Sequence, residues 1–174
     1  MSQIIIEFFA FLPKEIYVFF ISILPIIELR GAIPVGAAIG LPFYVNYPVA
    51  VLGNLLPVPF ILAFIPRILE FMHSHRIFPR VVEWVWEKAD KYKGKIIKEE
   101  SDGTRLTKAV FLALMLFVAI PLPGTGAWTG GLVASVFNLP KRSSFLAICL
   151  GVLICGVIMS LASYGVLGFL HFLL

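Results

Sequence analysis

The chain has 174 residues, of which 60% are hydrophobic and 14% charged, against about 45–50% and about 25% in a typical soluble domain. This excess of apolar side chains is too large for one small core to bury, so it excludes an ordinary soluble domain and predicts a single all-α integral membrane domain over 1–174. Basic and acidic residues alternate in the middle of the chain, which argues against nucleic-acid binding.

The first apolar segment, 15–42, is interrupted by prolines, glycines and two charged residues. Glu28 and Arg30 lie deep within it, where an ionised side chain costs at least about 2.5–3.5 kcal/mol. We expect them to form a substrate or proton site, an ion pair that fixes the turn, or both. We expect Gly31 to be the flexible start of a helix that has Pro34 in its first turn, where the missing N–H of proline is not needed.

The next segment, 44–66, has no charge and is long enough to span a bilayer. Asn54 lies within it, shortly before Pro57 and Pro59 interrupt the pattern. We expect the Asn54 amide to hydrogen-bond to the broken segment or to contact a substrate.

A basic linker, 67–106, follows this span. Ten of the fourteen Lys and Arg residues lie between Arg67 and Lys108, and positively charged loops stay in the cytoplasm. Apolar residues recur at three- and four-residue steps from Phe78 to Ile96, which predicts an amphipathic surface helix. A second short surface helix is predicted at 4–12.

The segment 107–140 is again apolar but broken, here by the run Pro121-Leu-Pro123-Gly124-Thr125-Gly126. We expect Thr125 to be the N-cap of a helix that begins near Gly126 or Ala127. The last segment, 143–174, is uncharged and exceeds the length of a span. Its cysteines, Cys149 and Cys155, are too far apart along a helix for a disulfide, so we expect them to be packing residues.

The two broken segments align at an offset of 98 residues. The offset places Leu24-Pro25 on Leu122-Pro123, Val35 on Val133, Leu41-Pro42 on Leu139-Pro140, and Gly53 on Gly151. This predicts a duplication with halves 1–66 and 107–174. If the broken segment 107–140 returns to the side where it starts, Lys141-Arg142 lies in the cytoplasm, as the positive-inside rule requires. We therefore predict re-entrant hairpins in an inverted repeat; the alternative is that both broken segments cross the membrane fully.

Two helix N-termini that meet near the membrane centre would present partial positive charge. Together with Arg30 they would bind an anion, and Glu28 would compete for the same charge. The candidate substrate- or proton-binding residues are Glu28, Arg30, Gly31, Pro34, Asn54, Pro121, Pro123, Gly124, Thr125 and Gly126. The sequence has no hydrolase, zinc-protease or Walker motif, so we expect no enzyme activity, no catalytic residue, no metal and no cofactor.

The motifs Glu28-Leu-Arg-Gly-Ala-Ile-Pro34 and Ile120-Pro-Leu-Pro-Gly-Thr-Gly-Ala-Trp128 resemble those of the small multidrug export protein family. That family is similar in layout to the DedA (VTT-domain) superfamily. The resemblance implies an inner-membrane transporter with two re-entrant hairpins. Relatives in the superfamily are linked to proton-dependent drug tolerance and to movement of phospholipids or polyprenyl phosphates. Glu28 matches the acidic residue of the first DedA hairpin, but 121–131 lacks the arginines usual in the second.

The first functional hypothesis is a secondary transporter or lipid flippase for an anionic amphiphile, a polyprenyl phosphate or a phospholipid, with proton coupling through Glu28. The alternatives are a proton-coupled small multidrug exporter and a non-transporting membrane scaffold. We expect a multi-pass protein of the cell (inner or plasma) membrane. The expected partners are membrane lipids, the lipid-phosphate or amphipathic substrate, protons and a second copy of the chain in a homodimer.

Overall fold

The computed structural model describes residues 13–75, 97–100 and 103–173. This part of the chain is predominantly helical, as the composition predicted. Its helices are α1 (Lys14–Ile23), α2 (Glu28–Ala38), α3 (Phe43–Leu55), α4 (Pro57–Ser74), α5 (Lys108–Ala119), α6 (Ala127–Val136) and α7 (Lys141–Leu173). The amphipathic helices predicted at 4–12 and 78–96 lie outside the described residues.

The end of the linker corrects the all-α prediction. Strands β1 (Ile97–Glu100) and β2 (Gly103–Leu106) pair antiparallel, with Ile97 opposite Leu106 and Glu100 opposite Gly103. Only two residues separate the strands in sequence. Gly103 follows this connection and pairs with Glu100, and glycine is favoured at the fourth position of a tight turn; the helical period earlier in the linker obscured this signal.

Two stretches among the described residues are long and apolar enough to cross a membrane. They are Phe43–Met72, of 30 residues, and Lys141–Gly165, of 25 residues. These stretches confirm the apolar spans predicted at 44–66 and 143–174. The predicted interruption of the first one also occurs, because α3 ends at Leu55 and α4 begins at Pro57.

The described residues divide into two compact units. The first unit contains 13–56 and 152–173, and the second contains the described part of 57–151. The first unit therefore contains α1, α2, α3 and the second part of α7. The second unit contains α4, α5, α6 and the first part of α7. The prediction that 1–174 acts as a single domain stays a prediction.

In the first unit α1 and α2 form an antiparallel pair. The Lys14 side chain, at the start of α1, donates a hydrogen bond from Nζ to the Ile39 carbonyl just after α2, at 2.6 Å. The pair has arms of 10 and 11 residues, or roughly 15 Å each. Its core side chains, including Val18, Leu29 and Ile33, are almost fully buried.

The turn after α2 recurs after α6, 98 residues later. Gly40 and Asn138 both have positive φ angles, 81° and 47°. In each turn the next leucine donates its N–H to the carbonyl five residues back: Leu41 to Gly36 at 2.9 Å, and Leu139 to Ala134 at 2.8 Å. This is the Schellman arrangement, which pairs helix-end carbonyls that would otherwise lack donors. Gly40 therefore serves the turn and not helix packing.

Close helix contacts recur at the same offset. A Cβ placed on Gly53 of α3 would lie 2.5 Å from the carbonyl oxygen of Phe19 in α1 and would overlap Ser22. In the second unit, a Cβ on Gly151 of α7 would lie 2.6 Å from the carbonyl oxygen of Met115 in α5. Both glycines allow a helix backbone to approach another more closely than any larger residue would permit.

We expect Gly53→Ala to destabilise the protein, because the added methyl group has no space against the α1 backbone. Overpacking of this kind costs about 1–3 kcal/mol, and it should lower the thermal unfolding midpoint of the purified protein in detergent. Gly165→Ala on α7 is the matched control, since a Cβ there would meet nothing within 4 Å. Equal midpoints for the two variants would contradict the close approach.

Candidate functional site

Glu28 is the first residue of α2 and has an unusual backbone conformation. Its φ angle is +53°, in the left-handed region that glutamate seldom occupies. Only 5% of the residue is exposed. A left-handed conformation costs a residue with a side chain about 1–2 kcal/mol, and strain of this kind concentrates at functional sites.

The second half of the chain has a glycine at the position that corresponds to Glu28. Gly126 lies 98 residues later, immediately before α6, and its φ of 157° and ψ of −172° are those of an extended backbone. The chain therefore enters α2 through a left-handed glutamate and α6 through an extended glycine, so the two halves differ in backbone conformation at this point.

Glu28 and Arg30 face each other. Arg30 Nη2 lies 4.0 Å from Glu28 Oε2, and the two side chains are 15% and 6% exposed. Residues two apart on a regular helix would not share a face, but the left-handed residue at the helix start changes the direction of the Glu28 side chain. The distance is at the outer limit for an ion pair and longer than a direct hydrogen bond. The predicted convergence of these two charges therefore occurs, as a loose pair.

The structure corrects the predicted start of this helix. We expected a helix start at Gly31 with Pro34 in the first turn, whereas α2 begins at Glu28 and Pro34 lies inside it. Gly31 is a regular helical residue whose N–H donates to the Ile27 carbonyl at 3.1 Å. Pro34 has no N–H to donate to the carbonyl of Arg30, so the helix lacks one regular hydrogen bond beside the charged pair.

Asn46 holds α2 in place and was missed in the sequence. Its Nδ2 donates to the Ile33 carbonyl at 2.8 Å and to the Tyr164 hydroxyl at 2.9 Å. The Tyr164 hydroxyl in turn donates to the Leu41 carbonyl at 2.7 Å, and Asn46 is fully buried. One amide therefore connects α2, α3 and α7 within the first unit. The available signal was an asparagine in an otherwise apolar span.

Asn54 is equally buried but differently placed. It has no exposed surface, and neither atom of its amide has a hydrogen-bond partner among the residues that the structure describes. The predicted hydrogen bond from Asn54 to the broken segment is therefore absent from the described structure. A possible contact with substrate stays a prediction.

The second broken segment connects α5 to α6. Helix α6 begins at Ala127, within the predicted range, but its N-cap residue is Gly126 and not Thr125. The Thr125 hydroxyl lies 2.9 Å from the carbonyl oxygens of both Ile120 and Leu122, which share its single O–H donor. The hydroxyl therefore closes the turn that precedes α6. The neighbouring candidates, Pro121, Pro123 and Gly124, are exposed and carry no ionisable group.

The candidate residues fall into both units. Glu28, Arg30, Gly31, Pro34 and Asn54 belong to the first unit, and 121–126 belongs to the second. Only Glu28 and Arg30 form a charge pair in these two sets. The anion site predicted from two helix starts that meet stays a prediction.

Residues 28–158 match the model of a family described as "Putative small multi-drug export protein". The match covers 131 of the 174 residues, since 158 − 28 + 1 is 131. The chain belongs to this family. Searches of curated proteins and of solved structures find no match.

Family membership and the two apolar stretches identify a membrane protein of an exporter family. The matched region begins at Glu28. It therefore contains the first broken segment from α2 onward, with its charged pair, and the whole of the second broken segment. Among the described residues of the chain, no group of three or more His, Cys, Asp or Glu side chains could hold a metal ion. Cys149 and Cys155 are free thiols, as expected.

We expect Thr125→Val to loosen the turn before α6, because valine keeps the shape of threonine but removes the donor that serves two carbonyls. A lost hydrogen bond of this kind costs about 0.5–1.5 kcal/mol, measured as a lower thermal midpoint in detergent. Thr125→Ser keeps the hydroxyl and is the matched control. A midpoint that falls equally in both variants would show that the methyl group, not the hydroxyl, supports this turn.

Proposed function

We propose that this protein is a proton-coupled secondary exporter of the cell membrane, with Glu28 as the exchange site and Arg30 as its internal counter-ion. The observation that supports the proposal most directly is the strained, buried Glu28 carboxylate beside Arg30 in a membrane protein. Intramembrane charges are costly and typically serve transport or proton transfer. The pair is loose enough for a proton or a substrate to part it.

Exchange of protons for substrate at Glu28 favours a cationic substrate. A cationic compound and a proton would compete for Glu28, so each would drive the other off the site. Competition at one site produces exchange, in which protons enter as the compound leaves. This direction agrees with the family to which the chain belongs. Arg30 would pair with the Glu28 carboxylate after one ligand has left and before the other binds. Its positive charge would also limit the affinity of the site for cations.

The second candidate is movement of an anionic amphiphile, either a polyprenyl phosphate or a phospholipid. Arg30 favours it, since a guanidinium binds phosphate well. An anion at Arg30 would favour protonated Glu28, so anion and proton would move in the same direction. A flippase of this type would carry lipid phosphate inward with the proton gradient.

We further propose a membrane arrangement similar to that of the DedA superfamily. In it α1–α2 and α5–α6 are re-entrant hairpins, the two halves have inverted orientation, and the linker 67–106 lies in the cytoplasm. The arms of α1–α2, at about 15 Å, match half of a hydrocarbon core of about 30 Å. The recurrence of the turn after α2 at the turn after α6 supports a duplicated unit.

Single cysteines should report this arrangement. In a background without Cys149 and Cys155, we expect Lys14→Cys and Tyr44→Cys to react with an impermeant maleimide from the outside of the cell, because a re-entrant hairpin returns to the side where it started. Lys108→Cys and Lys141→Cys should react only from the cytoplasm. Labelling of positions 14 and 44 from opposite sides would show that the first broken segment crosses the membrane.

Transport by the purified protein in liposomes should depend on Glu28. We expect wild-type protein to accumulate or release a lipophilic quaternary ammonium dye when a pH gradient is imposed. Glu28→Gln should remove the dependence on the gradient and reduce the rate about tenfold or more, which corresponds to ~1.4 kcal/mol of lost interaction. Glu15→Gln is the control, since Glu15 is an exposed carboxylate at the start of α1.

The same liposomes distinguish the candidates. Fluorescent polyprenyl phosphate and phospholipid should be tested in parallel with the dye, and Arg30→Gln should be compared with wild type. Lipid movement that requires Arg30, without dye transport, would favour the flippase. Absence of movement for every compound, with folded protein, would favour the non-transporting scaffold and overturn both transport proposals.

A further inference from the structure

Asn54 is a buried amide whose hydrogen-bonding capacity is unused. It lies near the end of α3 without exposed surface, and within the described part of the chain neither Nδ2 nor Oδ1 has a partner. Native proteins pair nearly all such groups, since an unpaired buried amide destabilises the fold. The corresponding residue of the second half, 98 positions later, is Val152, so packing at this position does not demand an amide.

Helix geometry places Asn54 at the level of Glu28. Asn46 lies opposite Ile33 and Gly36 of α2, and α2 and α3 fold back on each other through the turn at 39–42. Asn54 lies eight residues further along α3, or about 12 Å. The same eight residues counted back along α2 from Gly36 end at Glu28.

The contact between α1 and α3 supports this placement independently. Gly53, the neighbour of Asn54, lies against Phe19 and Ser22 in the last turns of α1. The chain leaves α1 at Ile23 and enters α2 at Glu28. Asn54 is therefore at the end of the hairpin that carries Glu28, and not at the end closed by Lys14.

The chemistry of the two groups is complementary in one protonation state only. An ionised carboxylate has acceptors alone and pairs with a guanidinium, whereas a protonated carboxyl has one O–H donor and one carbonyl acceptor. A carboxamide offers the matching acceptor and donor, Oδ1 and Nδ2. A protonated glutamate and an asparagine can thus form two hydrogen bonds side by side.

We propose that Asn54 is the alternative partner of Glu28: the ionised carboxylate pairs with Arg30, and the protonated carboxyl moves to the Asn54 amide. This inference rests on the proposed proton coupling and deepens it. On this proposal the structure corresponds to the state with ionised Glu28, in which the Asn54 amide has no partner among the described residues. The Asn54 amide would stabilise the protonated Glu28 carboxyl by hydrogen bonds inside the membrane. Glu28 would therefore bind a proton at a pH closer to neutral.

Few titratable groups surround Glu28 in its own unit, as far as the structure describes it. Arg30 lies on the same helix, and Cys155 on α7 interacts electrostatically with both Glu28 and Arg30. In the described part of this unit, the other ionisable residues on α1, α3 and α7 are Lys14, Glu15, Tyr17, Tyr44, Tyr47, Tyr164 and His171. Those of α1 lie in its first turn, at the opposite end of the hairpin, and Tyr44 and Tyr47 lie near the start of α3. Arg30 and Cys155 are thus the titratable neighbours at the level of Glu28.

Two substitutions on one helix give a stability test. Asn54→Val should keep or raise the thermal midpoint, because it removes an unpaired amide and introduces the residue found at the corresponding position. Asn46→Val should lower the midpoint by several degrees, because Asn46 has partners on α2 and α7. A midpoint that falls as far in Asn54→Val as in Asn46→Val would overturn the proposal.

The functional test is the pH dependence of dye transport in liposomes. Without Asn54 the protonated form of Glu28 loses its partner, so Asn54→Val should move the midpoint of the pH profile to more acidic pH by about one unit, a tenfold change in proton concentration. Asn54→Thr has the shape of valine with a hydroxyl and should recover part of the shift. A purely structural role would change the amount of active protein but not the midpoint.

Infrared difference spectra between acidic and neutral pH test the contact without transport. The carbonyl band of the protonated carboxyl that disappears in Glu28→Gln belongs to Glu28. This band should move to higher frequency in Asn54→Val, because its hydrogen bonds are lost. An unchanged band would overturn the inference even if Glu28→Gln abolishes coupling. A shifted band without any transport by wild-type protein would instead overturn the proposed function and leave the Glu28–Asn54 contact standing.

Discussion

The apolar character of the chain imposes one constraint on the described structure, since a polar side chain between helices needs a partner inside the protein. The Asn46 Nδ2 group supplies such a partner to several elements at once, because it donates to the Ile33 carbonyl of α2 and to the Tyr164 hydroxyl, which in turn donates to the Leu41 carbonyl. With α2 held in this way, Glu28 at its start is buried and Arg30 is partly buried. The geometry of the candidate site therefore depends on a network more than one helical turn away.

The two halves of the chain share backbone features and differ in their polar groups. The Schellman turns and the close glycine contacts recur at the 98-residue offset. The polar positions of the first half have smaller or apolar counterparts in the second: Glu28 and Gly126, Asn46 and Ser144, Asn54 and Val152. This asymmetry concentrates the polar candidate residues in the first half of the chain.

Local sequence cues were reliable for apolar lengths and less so for helix starts. Both long apolar spans are where hydropathy predicted them. Pro34 and Thr125 were assigned to a first turn and an N-cap, yet α2 begins earlier and Gly126 caps α6. Proline is compatible with a first turn and also with the interior of a tightly packed membrane helix, so its presence alone does not locate the start. The β-hairpin at 97–106 was missed because a helical period dominated the linker.

The sequence by itself determined the class of protein, the two spans, the family motifs and the isolation of Glu28 and Arg30 within an apolar segment. These follow from composition and from spacing along one chain. Only the tertiary structure decided that Glu28 is left-handed, with its carboxylate 4.0 Å from the Arg30 guanidinium. It also decided that Asn46 Nδ2 has partners, whereas neither amide atom of Asn54 has one among the described residues. The two asparagines look alike in sequence, eight residues apart on one helix. Their difference arises because partners on other helices depend on interhelical register, which no local pattern encodes.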